Sequence, residues 1–119
     1  MNSILGLGKW MLAIPMLAFG VMHFMNADAM AGMAPFGGAV IIYITGLALI
    51  LAAVAIAIGK YDKLASFLLG ILLLLFIIPH VQMLSENEME MGNILKNIAL
   101  AGGAFMYASA LSKDDSIIG

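Results

Sequence analysis

Two histidines fifty-seven positions apart, His23 and His80, and four further polar residues, Asn26, Gln82, Lys96 and Asn97, interrupt otherwise apolar stretches. Imidazoles give or take protons near neutral pH, while an ammonium and a primary amide donate hydrogen bonds to carbonyls or anions. Brought together, such groups suit a polar head attached to an apolar body. Chemistry through thiols is excluded, because the chain has no cysteine, which removes thiol–disulfide exchange, iron–sulfur ligation and thiolate zinc sites.

These six residues must be positioned by helices in lipid. The chain has 119 residues, of which 64% are hydrophobic and 10% charged, and its mean hydropathy is +1.10. A water-soluble domain needs a more polar exterior than this. Four apolar stretches, at about 6–25, 38–58, 64–84 and 94–111, each approach the ~20 residues that a helix needs to cross the hydrocarbon core. Strand alternation is absent, and unpaired backbone is intolerable in lipid. The expectation is an all-α, polytopic four-helix membrane bundle.

If the first span runs outward, the second returns, the third runs outward and the fourth returns. His23, Asn26, His80, Gln82, Lys96 and Asn97 then share one depth, and this polar rim is the expected ligand-binding site. Lys9, Lys60, Lys63 and Lys113 fall at the opposite end, where the charge reads as plain solvated residues. The rim side has Lys96 against Asp28, Glu86, Glu88 and Glu90. The positive-inside bias therefore places both termini in the cytoplasm, in a cell inner (plasma) membrane. The first span has some parts of a signal peptide, with Lys9 and the small pair Ala18 and Gly20, but its apolar run continues to Met25. It is expected to stay.

Several features have a bland reading beside the functional one. Each histidine is either a site residue facing the bundle interior or a helix-end residue at the wet interface. Lys96 either snorkels outward to Glu90 or a headgroup, or turns inward beside Asn97. Met22, Met25, Met30, Met33, Met83, Met89 and Met91 crowd this end; thioethers and imidazoles favour Cu(I), but methionine also fills irregular apolar gaps. Haem between the two histidines suits their helix-end positions poorly. The run Glu86, Glu88 and Glu90 reads as a solvated turn, with no acidic residue expected inside the helices and no acid–base pair evident. Pro15 and Pro79 should bend the first and third helices. The segment from Asn26 to Gly37 suits a short interfacial half-helix over the outer mouth, ending at Pro35. Gly46, Ala48, Ala52, Ala53 and Ala57 in the second helix, with Ala99, Gly102, Gly103 and Ser109 in the fourth, are the expected helix contacts.

Lys9 followed eleven positions later by Gly20, then His23-Phe24, resembles the DoxX family of small four-helix membrane proteins. Pro35, a Tyr three before Gly46, and Asn97 with Gly102-Gly103 extend the likeness over nearly the whole chain, which implies a single transmembrane domain over residues 1–119. Where many members of that family carry an acidic residue three positions after the second-helix glycine, this chain has Leu49. The family includes subunits associated with thiosulfate:quinone oxidoreduction and with oxidative-stress complexes. The resemblance and the rim together imply an accessory subunit that binds a quinone or isoprenoid lipid, holds no covalent cofactor and no metal, and is not catalytic alone. A membrane scaffold or assembly subunit is the alternative, and an external Cu(I)-binding protein a third. Expected partners are membrane lipid, redox-enzyme subunits and further copies or other chains in an oligomer. With a formal charge of −2 and no Arg, nucleic acid is not expected.

Overall fold

A computed structural model describes residues 2–33 and 37–115. Among the described residues there are helices and turns but no strand. Among the described residues, four helices are long and apolar enough to cross a membrane: α1 (Ser3–Met25), α2 (Gly38–Ile58), α3 (Asp62–Met83) and α4 (Glu90–Leu111). At 1.5 Å per residue, a helix of 21 residues such as α2 covers about the ~30 Å of a hydrocarbon core. The bundle measures 43 × 27 × 24 Å along its principal axes.

Side-chain size is distributed inside out relative to a soluble protein. Small residues such as Ala13, Ala52, Ala53, Ala101 and Ala104 lie in the core with Met16, Leu49, Ile56, Leu69 and Leu73. Large apolar residues such as Met11, Ile44, Leu51, Leu68 and Leu95 are exposed on the outside. Lipid solvates the large side chains as well as a core would, so association depends on close backbone approach instead. The tightest approach joins α1 to α2. A Cβ on Gly20 would lie 2.8 Å from the Gly46 carbonyl oxygen, and one on Gly46 would lie 2.7 Å from the Cβ of His23. The two glycines thus let the helices touch and leave the space that His23 fills.

α3 and α4 meet along matching seams. In α3 the buried positions Asp62, Ser66, Leu69 and Leu73 are spaced four, three and four, and the same spacing continues through Phe76 to His80. In α4 the buried positions Glu90, Ile94, Asn97, Ala101 and Ala104 repeat it and reach Ala108, which is also buried. This spacing keeps one stripe of each helix facing the other. Gly70 makes room there for the ring of Phe105, which a Cβ would approach to 2.5 Å.

Helix boundaries follow local chemistry. α2 ends at Gly59, whose φ of +73° closes the helix and whose N–H donates to the carbonyl of Ala55, as left-handed caps do. α3 is interrupted at Phe76 between Asp62–Leu75 and Ile77–Met83, one turn before Pro79, which has no N–H to continue the ladder. α1 carries Pro15 with its helix assignment unbroken. The last turn of α4, Tyr107–Leu111, widens to a π-helix.

Three expectations are corrected here. α3 begins at Asp62 rather than 64, and α4 at Glu90 rather than 94, so both first turns carry an acid. The small residues expected to make contacts in α4 face away: Ala99 and Ser109 are exposed, and a Cβ on Gly102 or Gly103 would meet open space. Ala101, Ala104 and Ala108 pack instead. In α2, Gly46, Ala52 and Ala53 are buried whereas Ala48 is exposed. After α1, a short helix (Ala27–Met30) and a 3-10 turn (Ala31–Met33) pack against α2. The proposed end of that segment at Pro35 lies outside the described residues.

Candidate functional site

At the end of the bundle where α1 and α3 finish and α4 begins, the helices leave a cavity of about 460 Å³. Its apolar wall includes Phe19, Ile42, Leu49, Leu73 and Phe76, and Met30 from the short helix also contributes. Its polar groups are His23 from α1, Thr45 from α2, His80 from α3, and Lys96 and Asn97 from α4. Four of the six residues expected at the rim are therefore brought together in one space. Asn26 and Gln82 are both exposed and are not among the described residues lining this cavity. Asn26 caps α1 by donating from Nδ2 to the Met22 carbonyl at 3.0 Å.

Each polar lining group is held differently. The His23 ring nitrogen Nδ1 lies 2.6 Å from the Phe19 carbonyl oxygen, and its ring stacks on Phe76 with centroids 5.7 Å apart. Because a carbonyl only accepts, Nδ1 carries the proton. The Thr45 hydroxyl lies within 2.9 and 3.0 Å of the Ile41 and Ile42 carbonyls, so it is satisfied on its own helix. His80 Nδ1 pairs with the Glu90 carboxylate, which also accepts from Asn93 Nδ2 at 3.2 Å. Lys96 Nζ sits 5.4 Å from the centre of the Phe19 ring, a cation–π placement that points it across to α1. The expected pairing of Lys96 with Glu90 is replaced by this contact, and Glu90 belongs to His80.

Asn97 differs from the rest. It is 4% exposed, lines the cavity, and makes no hydrogen bond to the protein. Among the described residues no buried side-chain polar atom lacks a partner, so the Asn97 amide is not sealed in the packing but opens on the cavity, available to whatever enters it.

Two acids overturn the reading that the helices contain none. Glu90 is 8% exposed rather than part of a solvated turn, and Asp62 is fully buried at the opposite end. Asp62 accepts from the Tyr107 hydroxyl at 2.7 Å, from the Lys113 N–H at 3.0 Å and from the Asp114 N–H at 2.8 Å. Asp114 answers by accepting from the Tyr61 N–H at 2.7 Å, where Tyr61 holds a φ of +54°. This end is a closed hydrogen-bonded clasp, not loose surface charge. A legible signal existed for both acids: the four-three spacing of the buried seam, extended back from Ile94 and Ser66, lands on Glu90 and Asp62.

Among the described residues no group of three His, Cys, Asp or Glu side chains is placed to hold a metal ion, and of the described methionines Met30 alone lines the cavity. Comparison with protein-family models, curated proteins and solved structures gives no match.

Proposed function

We propose that this chain is a membrane protein that receives the head of an isoprenoid-type carrier, a quinone or a related lipid, in the cavity between His23, His80, Lys96 and Asn97. It serves there as an accessory subunit of a membrane redox system. The observation that carries the reading is Asn97, a residue buried in the bundle whose amide makes no hydrogen bond within the protein and opens on a cavity lined mostly by rings and aliphatic groups, with Thr45 and Lys96 as the further polar members. A lining of few polar groups on an apolar wall fits a ligand with a small polar head and a greasy body. The resemblance to DoxX proteins agrees with this reading, although Leu49 replaces the acid of many relatives and is itself in the cavity wall.

The orientation belongs to the same proposal. Lys9 reaches the Ala57 carbonyl at 3.3 Å, and the Lys113 N–H bonds Asp62, so these lysines gather with Lys60 and Lys63 at the end away from the cavity. Under the positive-inside bias that end is cytoplasmic, both termini with it, and the cavity opens near the outer face of the inner membrane.

Native mass spectrometry of protein extracted in mild detergent tests the reading. The expected spectrum contains a retained isoprenoid carrier, or an added short-chain quinone bound one to one. The variant His23→Phe/His80→Phe should lose it; Glu90→Gln is included so that no carboxylate is stranded when His80 is removed. Equal retention in wild type and variant would overturn the site. The scaffold reading has one observation of its own, the open small-residue face at Gly102 and Gly103. It would be favoured by a stable oligomer whose cavity takes no carrier.

A further inference from the structure

The hydrogen-bond polarity of the cavity carries the reading further, to the oxidation state of the carrier. The two imidazoles are fixed in the same sense. His23 Nδ1 faces the Phe19 carbonyl, and His80 Nδ1 faces the Glu90 carboxylate; neither oxygen has a proton to give. Each ring therefore donates from Nδ1, and in a neutral imidazole the remaining nitrogen, Nε2, is then an acceptor. Both rings line the cavity, so the capacity left to them is to accept. The donors are on α4: the ammonium of Lys96, and the amide of Asn97, which bonds nothing in the protein.

Carbonyl and hydroxyl heads meet this pattern differently. A quinone has acceptors only. It can take hydrogen bonds from Lys96 and Asn97, but against either Nε2 it sets lone pair against lone pair. A hydroquinone has two hydroxyls, each with a proton to donate and an oxygen that still accepts. It can give its protons to the two imidazoles while receiving from Lys96 and Asn97. A single alcohol satisfies one imidazole and leaves the other.

We infer that the cavity selects the reduced, dihydroxy form of an aromatic carrier over its oxidised form, through His23 and His80 held as paired acceptors. This rests on the carrier-binding reading above and adds the redox form to it. Glu90 is then a positioning residue, since it fixes which nitrogen of His80 is left for the ligand.

The test uses the whole protein in detergent under argon at about pH 8. The probes are decylubiquinone, the same compound reduced with borohydride, and farnesol, with affinities measured by equilibrium dialysis. Two hydroxyl-to-imidazole bonds, at about 1 kcal/mol each, correspond to an affinity for the reduced form at least ~10-fold higher than for the oxidised form. Glu90→Gln should narrow that ratio by about threefold or more, because an amide can donate to Nδ1 and free the ring to turn its donor edge inward. Equal affinities, or tighter binding of the oxidised form, overturn the inference and leave the carrier reading intact. Farnesol binding without either quinone form does the same. Binding of none of the three overturns both.

Discussion

Replacing Asn97 by Leu separates a binding residue from a structural one. In a protein whose buried amides are paired, deleting one strands its partner and costs about 1–3 kcal/mol. Asn97 has no hydrogen-bond partner to strand, and its amide opens on the cavity although the residue as a whole is 4% exposed. Leu leaves no group unpaired, and its apolar bulk can enter a cavity of about 460 Å³. Stability of the empty protein should therefore stay level or rise by about 1 kcal/mol, whereas the carrier loses one hydrogen bond, worth about 1 kcal/mol or roughly a fivefold weaker affinity. Thermal unfolding in detergent and equilibrium dialysis on the same preparation read the two effects separately. A loss of more than ~1 kcal/mol in stability with affinity unchanged would refute the reasoning, since Asn97 would then serve the fold.

Two further substitutions test how the site is held. Gly46→Ala places a methyl 2.7 Å from the His23 Cβ and 3.0 Å from the Gly20 carbonyl oxygen, so α1 and α2 must part. The expected cost is about 1–3 kcal/mol, as for other overpacked contacts, with weaker carrier binding because His23 moves with α1; an unchanged melting temperature would show that the crossing tolerates a side chain. Asp62→Ala leaves the Tyr107 hydroxyl and the N–H groups of Lys113 and Asp114 without their acceptor. Hydrogen bonds to a carboxylate are among the stronger ones, so a loss of about 2 kcal/mol or more is expected. It should come with faster proteolysis after Leu111 and little change in carrier affinity, and limited digestion checks this.

The sequence made α2 legible to the residue, 38–58, because an unbroken apolar run between glycines leaves no choice of boundary in lipid. It also brought His23, His80, Lys96 and Asn97 to one depth from alternating helix directions alone. What hydropathy could not carry was the partnership of charged groups. Glu90 beside Glu86 and Glu88 has the composition of a turn, and Asp62 between Lys60 and Lys63 has that of a solvated loop. Their burial depends on residues elsewhere: His80 for Glu90, and Tyr107 with the backbone of Lys113 and Asp114, at least 45 positions away, for Asp62. The packed face of α4 differs from the expected one for a related reason. Small residues occur on both sides of it, and the seam is marked by the recurrence of Ile94, Asn97, Ala101 and Ala104 rather than by smallness.

The clasp at Asp62 also sets the order in which the molecule can be completed during synthesis. The turn between α2 and α3 leaves the ribosome some fifty residues before Lys113 and Asp114, whose N–H groups lie 3.0 and 2.8 Å from the Asp62 carboxylate. Until that later stretch emerges, the carboxylate must keep water or lipid headgroups around it, so the first three helices wait with that corner hydrated. Arrival of Lys113 and Asp114 shuts that corner, and the cavity at the far end acquires its fourth wall from α4 within the same interval.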